Sequence, residues 1–252
     1  MIKVVILGSG NVASHFIKAM EVNAAIDLMQ VYARSKKSLE NLIDSSKITT
    51  SFTDLKEADV YVISVSDKAI EEISNQIPFT DKLVVHTSGT MDFRVMHPKN
   101  KRGVFYPLQT FSKNKEINMQ KVPFCLETEN NEDYNLVENL AKSLSNSVYK
   151  ITGEQRKSLH ISAVFVSNFV NHMYQIGNAL CEENKVPFAI LQPLIEETAN
   201  KTKTLTPIDA QTGPAIRNDE PTIQKHLEAL TNPIYKELYQ KITLSIQNVK
   251  KL

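Results

Sequence analysis

Gly8-Ser9-Gly10-Asn11-Val12-Ala13 is a Gly-x-Gly-x-x-Ala run, placed directly after the apolar stretch Val4-Val5-Ile6-Leu7 and opening a segment of helical period. Each residue type has a use where backbone must hold an anion. Gly8 permits a tight turn, Gly10 lets the main chain approach a pyrophosphate, and Ala13 is small enough for the helix to pack closely on the strand. Amides at the helix start then become donors to phosphate oxygens. Glycine turns after strands also occur as plain structure, so the setting carries the reading. A strand–turn–helix unit is where this motif binds a dinucleotide.

The next informative residues lie 34 − 10 = 24 positions after Gly10, where the chain reads Arg34-Ser35-Lys36-Lys37. A site selective for NAD tends to place a carboxylate near this point for the ribose 2′-hydroxyl. Here there is none. Arg34 can fork onto a phosphate, with Ser35 and Lys36 completing the pocket, so the expected cofactor is NADP. A solvated basic loop is the alternative. Ser64-Val65-Ser66-Asp67 follows an apolar run at the position where a doubly wound sheet places residues beside the nicotinamide ribose. The candidate cofactor residues are therefore Gly8, Ser9, Gly10, Asn11, Val12, Ala13, Arg34, Ser35, Lys36, Ser64, Val65 and Ser66. His86-Thr87-Ser88-Gly89 ends another apolar run, and Ser88 and Gly89 are candidates for meeting a polar substrate; the same residue types also serve ordinary turns.

These groups need elements to position them. Strands are expected at Val4-Val5-Ile6-Leu7, 28–33, 60–65 and 82–86, with weaker signals at 104–106, 122–126 and 147–151. Segments of helical period between them predict a parallel sheet with crossover helices. Near residue 150 the pattern changes. Residues 154–184 contain no proline and sustain helical spacing, which at 1.5 Å per residue is a helix of roughly 45 Å. Further helices are expected over 188–199, 221–230 and 233–249, with a loop at 206–219. The expected fold is α/β: a doubly wound Rossmann-type parallel sheet over 1–150, then an all-helical domain over 151–252. On the long helix, 100° per residue puts His160, Ser167 and Asn171 on one face and Asn168 with His172 on another. Polar groups in so apolar a helix are either satisfied structurally or aimed at a wet cleft.

Composition bounds the rest. The chain has 252 residues, 42% of them hydrophobic, and a formal net charge of +1. That is enough apolar material for a core, and too little positive charge for bulk attraction to nucleic acid or an anionic membrane. No run of about 18 apolar residues exists, so no membrane span is expected. The start, Met1-Ile2-Lys3, leads straight into the first strand, so no signal peptide is expected either. Cys125 and Cys181 are isolated, fitting reduced thiols and a cytoplasmic protein. No His-Glu-x-x-His or Cys-x-x-Cys spacing occurs, so no metal is expected.

Several of these motifs, taken together, resemble one bacterial family: a Rossmann-like NADP-binding domain joined to a helical C-terminal domain of unknown function. The residues that carry the resemblance are the glycine turn, Arg34-Ser35, His86-Thr87-Ser88-Gly89 and Tyr106-Pro107-Leu108-Gln109-Thr110-Phe111. His160 with Ala163-Val164-Phe165-Val166-Ser167-Asn168-Phe169, and Thr212-Gly213-Pro214-Ala215-Ile216-Arg217-Asn218-Asp219, complete it. The architecture is similar to pyrroline-5-carboxylate reductase, the β-hydroxyacid dehydrogenases and the deazaflavin-dependent NADP reductases. The resemblance implies an NADP(H)-dependent oxidoreductase that moves a hydride to or from a small C=O or C=N substrate bound between the domains. It also implies a homodimer formed through the helical domain. His160 then becomes the candidate acid, because imidazole exchanges protons near neutrality, and Asn168 the candidate carbonyl-orienting group. Thr212 and Arg217 are candidate substrate residues, Arg217 as a clamp for a carboxylate, with a surface pair to Asp219 or Glu220 as the alternative for Arg217. Two departures stand out. Relatives often carry histidine where this chain has Tyr106. The lysine that β-hydroxyacid dehydrogenases place four residues before an asparagine is not matched, since Ile161 follows Lys157. Both departures favour the alternative reading, a non-catalytic NADP-binding sensor or scaffold.

Overall fold

The computed structural model describes residues 1–113 and 115–249. It divides into two compact units, Met1–Asn168 and Phe169–Leu252, the division falling within the long helical run.

The first unit is built on one eight-stranded sheet of β1 (Ile2–Leu7), β2 (Ile26–Tyr32), β3 (Ile48–Thr49), β4 (Val60–Ile63), β5 (Leu83–His86), β6 (Lys101–Pro107), β7 (Phe124–Thr128) and β8 (Val148–Lys150). The strand order is β3-β2-β1-β4-β5-β6-β7-β8. The six strands from β1 to β6 are joined by parallel pairings. β7 runs antiparallel to β6, and β8 parallel to β7. Its helices are α1 (Asn11–Glu21), α2 (Ile70–Gln76), α3 (Asn131–Leu144) and α4 (Gly153–Ala163). Side chains alternate across the sheet. Val4, Ile6 and Phe105 face a core shared with Phe16 of α1 and Leu140 of α3. Val5, Leu7, Val104 and Tyr106 face the opposite core, with Ile70 and Ile73 of α2 and, at its edge, Leu159 of α4. The period of two thus turns Tyr106 toward α4 while its neighbour Phe105 turns away.

Residues 153–183 are helical but not uniformly α-helical. A π-helical turn, Val164–Phe169, separates α4 from α5 (Val170–Glu183). The even 100° spacing expected along this run therefore does not hold. A π turn bonds i to i+5 and holds more residues per turn, so faces counted from His160 do not carry through to Asn171 or His172.

The second unit continues with α6 (Gln192–Lys201), α7 (Pro214–Arg217), α8 (Glu220–Ala229) and α9 (Pro233–Asn248). The expected loop over 206–219 contains α7, a single turn started by Pro214 and stopped by the left-handed Asn218. Among the described residues of this unit only Ala215 and Ile223 are buried.

Candidate functional site

The glycine turn joins β1 to α1. Gly8 has φ +140°, and a Cβ there would lie 2.0 Å from the carbonyl oxygen of Ser64 on the neighbouring strand connection. Only glycine satisfies both constraints. Its N–H donates to Tyr32 O at 2.9 Å, tying the turn to the end of β2. Gly10 caps α1 without a side chain, and a Cβ there would meet nothing within 4 Å. The backbone is thus open where a bulky anion has to approach. Ala13 is fully buried beneath the turn.

A cleft of about 640 Å³ opens over these residues. Gly8, Ser9, Gly10, Asn11 and Val12 line it, as do Ala33 and Arg34 after β2, Ser64, Val65 and Ser66 after β4, and Thr87 after β5. Arg34 is the only basic side chain of the lining and is exposed. Among the described residues no carboxylate forms an ion pair with it. Ser35 and Lys36 are exposed at the start of a 3-10 turn and lie outside the lining. The Asn11 side chain is committed elsewhere: its Nδ2 donates to Phe111 O at 3.0 Å. His15, one turn on, bonds Ser112 O at 3.1 Å through Nε2. Asn11 and His15 fix the chain after β6 beside the helix start, leaving Asn11 its backbone amide to offer a ligand.

A second constellation sits where β5, β6 and α4 meet. The Tyr106 hydroxyl lies 3.0 Å from His160 Nδ1. A Cβ on Gly89 would fall 2.5 Å from that nitrogen and 2.9 Å from Tyr106 Cζ, so Gly89 is packed directly on the pair. Burial, and after it the facing Cys125, push the Tyr106 phenol up to about 12, so it keeps its proton at any ordinary pH. The Ser88 hydroxyl is engaged in its own turn, accepting from the N–H groups of Thr90 at 3.1 Å and Met91 at 3.0 Å. Thr90 in turn donates to Asp67 at 2.7 Å.

Arg156, fully buried, holds this constellation in place. One end of its guanidinium pairs with Glu127 of β7, and Nη2 donates to Met91 O at 2.5 Å. The other Glu127 oxygen accepts from Gly153 N–H at 2.8 Å. Together with a capping box between Thr152 and Gln155, that carboxylate anchors the first turn of α4, where the helix dipole also favours negative charge. His160 stands one helical turn after Arg156, and so on the same face. His86, wholly buried at the end of β5, accepts from Ser88 N–H through Nδ1 at 3.2 Å. Burial first and Arg156 second push its pKa down to about 4.

The remaining candidates are placed as follows. Asn168 is exposed in the π-helical turn. Lys157 pairs with Glu154 at 2.9 Å. In the second unit, Thr212 lines an apolar pocket of about 270 Å³ with Met173, Leu180 and Tyr239. Arg217 approaches Asp219 at 4.0 Å, while the Asp219 carboxylate caps α8 through Thr222. Among the described residues no group of three His, Cys, Asp or Glu side chains could hold a metal, and no helix is long and apolar enough to cross a membrane.

Tyr106, Glu127 and Arg156 are the site residues that residue-type reasoning missed. Tyr106 stood within a quoted motif but had no visible partner, because His160 is 54 positions away. For Arg156 and Glu127 the sequence carries no signal at all.

Residues 3–89 match the family model described as NADP oxidoreductase coenzyme F420-dependent, and residues 122–246 match the domain of unknown function DUF2520. A candidate NADP oxidoreductase from Bacteroides fragilis is 38% identical, with a TM-score of 0.89 and 98% of each chain covered. A protein from Thermotoga maritima superposes with a TM-score of 0.80 at 20% identity, covering 99% of this chain and 100% of that one. A pyrroline carboxylate reductase from Plasmodium falciparum, solved with NADP bound, gives 0.64 at 15% identity over 98% of each chain and so shares the fold. No curated protein matches the chain.

Proposed function

This chain belongs to the family that joins an NADP oxidoreductase coenzyme F420-dependent domain to the domain of unknown function DUF2520, and from that premise we propose that it is an NADP(H)-dependent oxidoreductase acting on a small C=O or C=N substrate. The observation that carries the proposal is the cleft over the glycine turn, with Arg34 as its only basic lining residue. The residues fit the cofactor: Gly10 leaves its backbone open, the first amides of α1 can donate to an anion, and Arg34 can fork onto a 2′-phosphate. When bound, the nicotinamide supplies or accepts the hydride. The chain's own part is to hold the nucleotide, to present Ser88 and Gly89 to the substrate, and to provide a proton from His160. Arg156 and Glu127 fix the turn on which His160 stands.

A panel of small keto acids and cyclic imines, followed by NADPH absorbance, tests this reading. Turnover of at least one class is expected, with His160→Ala slowing it about 100-fold or more. Wild-type turnover by His160→Ala would remove the acid role. NADPH binding without turnover across the panel would point instead to the sensor.

The functional molecule is a homodimer formed through the helical unit. Support comes from its small interior among the described residues: α5, α6 and α9 contain no buried residue, while Ile190, Leu194, Ile234 and Leu244 are exposed. A soluble chain rarely leaves so much apolar helix surface to water, and a second copy would cover it.

A further inference from the structure

We infer that Tyr106 is the positioning residue of His160: its phenol donates to Nδ1, fixing the neutral imidazole as the tautomer that carries its proton on Nε2. A neutral imidazole has one ring nitrogen that donates and one that accepts. Tyr106 Oη and His160 Nδ1 stand 3.0 Å apart, so one of them donates to the other. The phenol is buried and retains its proton, and among the described residues it has no other hydrogen-bond partner. Were Nδ1 to carry the proton, the pair would hold two donors, and the phenolic proton would be left in the core without an acceptor. Donation from Oη to Nδ1 satisfies both groups.

The groups that face the pair are consistent with this direction. Arg156 lies one turn earlier on α4, and Cys125 stands opposite Tyr106 in the β6–β7 register. The two terminal nitrogens of the guanidinium are bound to Glu127 and to Met91 O, and the Cys125 thiol is pushed up by burial. The pair also explains why residue 89 is glycine. A Cβ would occupy the space of Nδ1 and Tyr106 Cζ, and would push the two rings apart.

The chemical consequence rests on the oxidoreductase reading. With Nδ1 occupied, the hydrogen that the neutral ring turns toward a substrate is on Nε2, where it can donate a hydrogen bond to a carbonyl oxygen or imine nitrogen; Nε2 has no partner among the described residues, and the side chain is half-buried. Tyr106 would orient the His160 ring without itself touching substrate. Tyr106→Phe keeps the ring and removes only the donor.

The tautomer is read by long-range proton–nitrogen NMR of the nitrogen-labelled full chain at mildly alkaline pH, with the His160 signals identified by their loss in His160→Asn. The spectrum is recorded without nucleotide or substrate, so it decides the tautomer separately from the oxidoreductase reading. The wild type is expected to show Nδ1 unprotonated and Nε2 protonated. Tyr106→Phe should shift the tautomer ratio about fivefold toward Nδ1–H, the weight of one hydrogen bond. Gly89→Ala, which disturbs the pair from the other side, should shift it in the same direction. A wild-type spectrum with the proton on Nδ1, or a folded Tyr106→Phe variant with an unchanged ratio, would overturn the inference.

Discussion

His86 shows how a single buried group ties this site to the stability of the whole unit. Its imidazole is fully buried and neutral, its pKa lowered from 6.5 to about 4, chiefly by burial and next by Arg156. The sign follows from proton counting. Above pH 6.5 neither folded nor unfolded chain binds this proton, so the full stability is present. Between 6.5 and about 4 the unfolded chain takes up a proton that the folded chain refuses, and stability falls by up to roughly 3 kcal/mol. Urea denaturation across this pH range should show that loss. His86→Asn, whose side-chain oxygen can accept from Ser88 N–H, should flatten it. Equal pH slopes for the two proteins would mean that His86 is not the sensor. At this scale the glycine turn and Arg34 were legible in the sequence, because type and short spacing alone state their chemistry. The Tyr106–His160 contact was not, since nothing local to Tyr106 announces a partner 54 residues away.

Elements place these residues through a few ties that can be cut. The Gly8 turn fails if a side chain is added, because the backbone sits at φ +140° and Ser64 O occupies the space of a Cβ. Gly8→Ala should cost about 2 kcal/mol or more by denaturant unfolding, and a loss under ~0.5 kcal/mol would contradict the geometry. Glu127 joins β7 to both the backbone start and the buried guanidinium of α4. Glu127→Ala strands Arg156 without a counter-charge and should cost about 3–5 kcal/mol, whereas Lys157→Ala, which removes an exposed i,i+3 pair, should change stability by less than ~0.5 kcal/mol. Similar losses for both variants would remove Arg156 as the anchor of α4. The strands and the long helical run were readable from apolar patterning. The π-helical turn was not, because a segment apolar almost all round has no phase for an extra residue to disturb. The reversal of β7 was equally hidden, since residue types in a strand do not record its direction.

The whole molecule divides its tasks unevenly. The first unit has two continuous cores on either side of its sheet, while the second has only two buried residues among those described. The proposed homodimer predicts a solution mass near twice the 28.4 kDa of one chain by light scattering. Leu194→Glu with Leu244→Glu should shift it toward one chain; a wild type of single-chain mass at micromolar concentration would contradict this. Such a surface was foreseeable from the run of helices beyond residue 150, too elongated to form an ample core of their own. The proposed cofactor site lies in the first unit, where the cleft over the glycine turn is proposed to take NADP(H) with Arg34 reading the 2′-phosphate. Fluorescence titration of the wild type and Arg34→Asp with NADPH and NADH tests it most directly. The wild type should bind NADPH about tenfold or more tightly than NADH, and Arg34→Asp should abolish or reverse that preference. Equal affinities in the wild type, or a preference untouched by Arg34→Asp, would contradict it.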